Sequence, residues 1–98
     1  MKGTYLRFFV HEGDRLHGLP AYGWLLEQAK KAGIRGGSAM RVIAGYGRHG
    51  VLHEAHFFEL AGDLPVIVEF VVSDAEAARL LELVGAERAS LFYAKIPV

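Results

Sequence analysis

An α+β fold with the element order β-α-β-β-α-β is expected from three features of this 98-residue sequence. Residues 4–11, TYLRFFVH, alternate with a period of two, which sets Leu6, Phe8 and Val10 on one face and Tyr5, Arg7, Phe9 and His11 on the other. Residues 65–72, PVIVEFVV, are almost wholly β-branched or aromatic, the composition of a strand on a pleated, half-buried surface. After each of these strands comes a stretch of helical spacing that carries its own start or stop signal. Right-handed crossovers then bring two helices onto one face of a four-stranded antiparallel sheet, the ferredoxin-like arrangement. A chain of this length makes a single domain, residues 1–98.

The elements follow in order. After the first strand, EGDRLHG reads as a turn-rich loop. A helix over about residues 19–32 is predicted from Tyr22, Leu25, Leu26, Ala29 and Ala32, with Pro20 in its first turn. Lys30 and Lys31 suit the negative end of its dipole, and Gly33 suits the left-handed residue that stops it. Residues 38–47, SAMRVIAGYG, read as a second strand, and residues 51–60, VLHEAHFFEL, as a further strand or an excursion. Gly62 and Asp63 punctuate the chain before Pro65, which is tolerated at the first position of a strand. Ser73-Asp74-Ala75-Glu76 is a capping box that opens a second helix, with Ala77, Leu80, Leu81 and Val84 on one face and Gly85 at its end. Residues 89–98 supply the last strand.

Composition narrows the function classes. The chain is 52% hydrophobic and 22% charged, an ordinary globular balance. Eleven basic residues offset eleven acidic ones, so no net field draws the chain to nucleic acid or to an anionic membrane. There is no cysteine, hence no disulfide and no thiolate metal site. The first apolar run is too short for a signal peptide, and no run approaches the roughly 20 residues that span a bilayer. A small soluble cytoplasmic protein without membrane insertion is the expectation.

Two helices cover only one face of a sheet, so a monomer should carry a polar second face. The alternate positions hold Tyr5, Phe9, Ile67 and Val71 beside Arg7 and Glu69, which predicts burial against other subunits.

One short stretch invites a ligand reading. Residues 45–50, GYGRHG, fit the spacing of a dinucleotide-binding turn, yet that turn needs a helix after it to receive the pyrophosphate. VLHEAHFFEL has strand or loop character, so the dinucleotide reading fails. Two readings remain: a glycine-rich exit from the sheet without a ligand, or a nest of backbone N–H groups that holds an anion, with Arg48 and His49 adding charge-assisted bonds. His49, His53 and His56 also lie close in sequence, but HEAH is one residue short of a helical HExxH zinc motif. Glu12, Asp14 and Arg15 form a charged cluster after the first strand, and no nucleophile or acid–base pair stands out, so no enzyme is expected. An RNA-recognition module shares the element order, but PVIVEFVV lacks its stacking signature and carries Glu69.

Three blocks, taken in order, resemble a known family. They are Glu12-x-Asp14-Arg15-x-x-Gly18-x-Pro20-x-Tyr22, then Ala44-Gly45-Tyr46-Gly47-x-His49-Gly50-x-x-His53, then Asp63-Leu64-Pro65-Val66-Ile67-Val68-Glu69. Together they look like the PII-like proteins, a branch long catalogued as a domain of unknown function and related to the PII nitrogen-regulatory proteins. The resemblance covers the chain to about Val72, beyond which the second helix and its following turn, residues 85–88, are short for the family. It implies a homotrimer whose clefts between subunits take a small anionic ligand, often an adenine nucleotide, with no other cofactor firmly implied. Gly45, Gly47, Arg48, His49 and Gly50 are the ligand-binding candidates. His53, Glu54, His56 and Phe57 would lie on the loop that reaches a partner protein, a membrane transporter by family analogy. The alternatives are a metal-binding trimer resembling CutA-type proteins, with His49, His53 or His56 as ligands, and an assembly module with no small ligand.

Overall fold

The structure is a computed structural model, and it describes residues 2–46, 53–54, 64–87 and 91–98. The elements are β1 (Thr4–His11), β2 (Arg15–Leu16), β3 (Leu19–Pro20), α1 (Ala21–Lys31), β4 (Ser38–Arg41), β5 (Ala44–Gly45), β6 (His53–Glu54), β7 (Pro65–Val72), α2 (Asp74–Ala86) and β8 (Phe92–Pro97). Strands β4, β7, β1 and β8 form one antiparallel sheet in that order. This is the expected ferredoxin-like architecture, with β1 and β7 at the centre.

The period-two pattern sets the register. Leu6 lies opposite Phe70, Phe8 opposite Val68 and Val10 opposite Val66, so three central pairs point to the same side. All six are buried, against Trp24, Leu25 and Ala29 of α1 and Ala77, Leu80 and Val84 of α2. Phe8 and Phe70 meet edge to face with ring centroids 6.3 Å apart, a favoured aromatic geometry. Thr4 is the one buried polar side chain among the described residues, and its hydroxyl donates to Asp74 Oδ1 at 2.6 Å, tying β1 to the first turn of α2.

Local chemistry sets the helix ends. Ala32 is the C-cap of α1, Gly33 follows with φ of 85°, and the Gly33 and Ile34 N–H groups donate to the carbonyls of Lys30 and Ala29. That is a Schellman stop, with Ile34 buried beneath it. At α2 the Ser73 hydroxyl accepts from the Glu76 N–H at 3.1 Å while the Glu76 carboxylate accepts from the Ser73 N–H at 2.9 Å. The capping box stands as predicted.

Five expectations need correction. Residues 12–18 do not form a plain loop: β2 and β3 pair as a small hairpin turning through His17 (φ 53°) and Gly18 (φ 78°), two positive-φ residues as a primed two-residue turn requires. Consequently Pro20 is the N-cap of α1 rather than part of its first turn, and the helix starts at Ala21. The strand expected over residues 38–47 is broken at Val42 and Ile43: Val42 N–H still bonds Pro65 O, but Ala44 and Gly45 leave the main sheet to pair with Glu54 and His53. Gly85 does not end α2, which runs through Ala86 with Glu87 as its C-cap. In the last strand, regular structure starts at Phe92, and residues 89–90 lie outside the described residues.

Candidate functional site

The geometry around the glycine segment begins with β4. Its last residue, Arg41, pairs with Val66, and the Glu12 N–H just beyond β1 bonds Leu64 O. Glu12 and Arg41 therefore flank the start of β7 from its two neighbouring strands. Their side chains meet across it, Arg41 Nη2 to Glu12 Oε1 at 2.6 Å. Beneath the pair lies a cleft of about 390 Å³ lined by Tyr22 of α1, Ala39, Met40, Arg41, Glu12 and Val66. An aromatic ring, apolar walls and a carboxylate beside a guanidinium make a cleft suited to a flat ligand with a polar edge.

Three residues after Arg41 the chain enters β5. Ala44 pairs with Glu54 and Gly45 with His53, so a two-stranded ribbon holds together the ends of the stretch that includes GYGRHG. On its way the chain presents Ile43 and Tyr46 to solvent, at 79% and 74% exposure. Of the ligand-binding candidates, Gly45 is placed, at the root of this ribbon; Gly47, Arg48, His49 and Gly50 lie outside the described residues. Of the loop candidates, His53 and Glu54 form β6, and His56 and Phe57 lie outside the described residues. Among the described residues no three histidine, aspartate or glutamate side chains gather as a metal site.

The charged cluster after β1 divides by role. Asp14 is structural: its carboxylate accepts from the His11 N–H at 2.9 Å and its carbonyl from the Ala21 N–H at 2.8 Å, which fixes the approach to α1. Glu12 belongs to the cleft. His17, at the tip of the β2–β3 hairpin, meets Glu87 Oε2 at 2.6 Å and so joins that hairpin to the end of α2. Tyr22, Met40 and Arg41 were not singled out from the sequence as site residues. The signal that would have found Arg41 and Glu12 is topological, since Arg41 ends, and Glu12 directly follows, the strands that flank β7 in this fold.

The second face of the sheet is open. Phe9, Met40, Val71, Phe92 and Ile96 are exposed on it, Val71 at 59% and Phe92 at 74%. At its centre Arg7 lies directly opposite Glu69 in the register. The Arg7 guanidinium donates to the Tyr5 hydroxyl at 2.8 and 3.1 Å and lies 3.4 Å from Glu69 Oε2, while the Tyr5 hydroxyl donates to the same carboxylate. The Tyr5 hydroxyl first, and the Glu69 carboxylate after it, push the Arg7 pKa up against the opposing effect of burial.

The architecture is a four-stranded antiparallel sheet with two helices packed on one face. Solved structures of CPII from Thiomonas intermedia K12 share it. CPII bound to ADP and bicarbonate superimposes with a TM-score of 0.60 at 20% identity, covering 100% of this chain and 89% of that one. CPII, described as a nitrogen regulatory PII-like protein, bound to ADP, AMP and bicarbonate gives 0.61 at 19% identity, with the same coverage. At such identities the likeness establishes the fold. The family model DUF190, described as "Uncharacterized ACR, COG1993", matches residues 3–89, and the chain belongs to that family. The UPF0166 protein of Aquifex aeolicus (strain VF5) is 38% identical over 82 residues, 84% of this chain and 78% of that one. A UPF0166 protein of Methanocaldococcus jannaschii is 35% identical over 81 residues, 83% and 74% of the two chains. The recognition of the PII-like branch from three sequence blocks is borne out.

Proposed function

We propose that the chain is a non-enzymatic regulatory protein of the cytoplasm that assembles as a homotrimer and senses an adenine nucleotide in clefts between its copies. The observation that carries this reading is the likeness, over the whole chain, to a PII-like protein solved with ADP. Two features of the chain itself support it. The open sheet face supplies an apolar surface for assembly. The β5–β6 ribbon starts three residues after Arg41, whose guanidinium shares a cleft with the Tyr22 ring.

In this reading Gly45, Gly47 and Gly50 let the backbone approach phosphate closely, and Arg48 and His49 add charge-assisted bonds. Nucleotide shifts the stretch carrying His53, Glu54, His56 and Phe57 between arrangements, and a partner protein, by resemblance a membrane transporter, reads the difference.

Calorimetry with ATP, ADP and AMP tests the reading, alongside a zinc and copper titration. We expect saturable nucleotide binding that Arg48→Ala weakens by roughly tenfold or more, the loss of a hydrogen bond to a charged group. Absence of any nucleotide signal, with micromolar zinc or copper binding abolished by His53→Ala, sinks it in favour of a metal-responsive protein. Silence in both titrations leaves an assembly module.

A further inference from the structure

The open sheet face carries a polar island. Tyr5, Arg7 and Glu69 join β1 and β7 at its centre, and exposed apolar side chains of all four strands surround them. An apolar face alone associates with little preference for angle or copy number, because hydrophobic burial is non-directional. A charge pair at its centre changes that, since desolvating it is costly in every arrangement that leaves its remaining hydrogen-bonding capacity unmet.

Arg7 and Glu69 are only half exposed, at 38% and 27%, and already oriented by Tyr5, so they present a fixed pattern of donor and acceptor. The pattern is also self-complementary: each copy offers both a cation and a carboxylate, and the chain as a whole has no net charge to drive copies apart. We propose that the Tyr5–Arg7–Glu69 island fixes the register and copy number with which the sheet faces of this chain pack against one another. The occupant of the face is thus a second copy, and the island is a specificity device more than a source of affinity. This rests on the homotrimer reading above.

Light scattering and native mass spectrometry of the full chain provide the test. Wild type is expected to show one mass, that of three copies, across a wide dilution series. The apolar double variant Arg7→Met/Glu69→Leu is expected to stay associated but to spread over several masses. Charge-altered single variants give an independent arm that does not depend on that variant folding. Arg7→Glu alone and Glu69→Arg alone should each lose assembly, and mixing the two should restore a complex containing both chains. Circular dichroism checks that each variant is folded. A double variant that keeps the single wild-type mass, or charge variants that assemble alone and do not mix, overturns the island's role while leaving the trimer intact. A double variant that falls apart to monomers overturns it too, because the pair then supplies affinity instead of register. A monomeric wild type removes this inference and the trimer together.

Discussion

Gly36 and Gly37 are adjacent and chemically identical, yet their surroundings separate them. A Cβ on Gly37 would stand 2.3 Å from Cε1 and 2.6 Å from Cδ1 of Phe70, whereas a Cβ on Gly36 meets nothing within 4 Å. The Phe70 ring is buried among the core side chains, so an added methyl must displace either that ring or the chain at Gly37. Gly37→Ala is therefore expected to destabilise the fold by about 1–3 kcal/mol, the usual cost of forcing volume into a packed core. Gly36→Ala should fall within about 0.5 kcal/mol of wild type. Urea denaturation followed through Trp24, the single tryptophan and a buried one, reads both. Equal midpoints for the two variants would show that the β4 edge moves away from Phe70 at little cost.

Among elements, α2 depends most visibly on its first turn. The Glu76 carboxylate accepts from the Ser73 N–H, and this bond, then the Ser73 hydroxyl, draws its pKa below the ordinary carboxylate value; burial opposes the shift, and Arg79 and Arg35 add lesser contributions to it. A carboxyl whose folded pKa is depressed contributes stability above its unfolded pKa and loses it as pH falls through the folded value. The start of α2 should accordingly loosen below the ordinary carboxylate range, seen as faster amide exchange over residues 74–77 in acid. Ser73→Ala removes the bond from the Glu76 N–H to the hydroxyl and should cost about 1 kcal/mol at neutral pH, whereas Glu76→Gln removes the titrating carboxylate and should flatten the acid dependence. An unchanged acid profile in the Glu76→Gln variant would place the titrating group elsewhere. The element that departs most from its sequence pattern is the one over residues 38–47. The glycines of SAMRVIAGYG mark an exit from the sheet, but nothing in the stretch places that exit as early as Val42, itself a β-branched residue that favours strands.

At the scale of the molecule, the sheet has one face under helices and one without. Phe92 of β8 is 74% exposed and packs on Phe9 with ring centroids 5.3 Å apart, extending the apolar surface to the edge of the sheet. Phe92→Asp should leave the isolated fold nearly intact, since little of the ring is buried within one copy. It should weaken assembly, because a carboxylate there would be desolvated without a partner. Light scattering at matched concentration is expected to show a shift toward the mass of one copy, with an unchanged circular dichroism spectrum. Retention of the wild-type mass would exclude the β8 edge from any contact between copies.

Local pattern alone determined most of the architecture. The alternation in TYLRFFVH, the β-branched run PVIVEFVV, the Gly33 stop and the Ser73–Glu76 capping box each act through neighbours in the chain, so their outcome is written in short stretches of residues. The half-apolar second face followed from the same alternation. What tertiary structure decided involves residues distant in sequence. Glu12 meets Arg41 only because β7, a segment from later in the chain, inserts between the strands that carry them and brings the two ends within reach. The hairpin through His17 and Gly18 needed its pairing with Leu19 and Pro20 to declare itself, since a histidine with positive φ is not visible in composition. GYGRHG stands between the two: its glycine spacing is legible in the sequence, while its root is set by the pairing of Gly45 with His53. The physical reason is one of range, since a cap or a strand face is settled within a few residues and a cleft only when strands from three parts of the chain align.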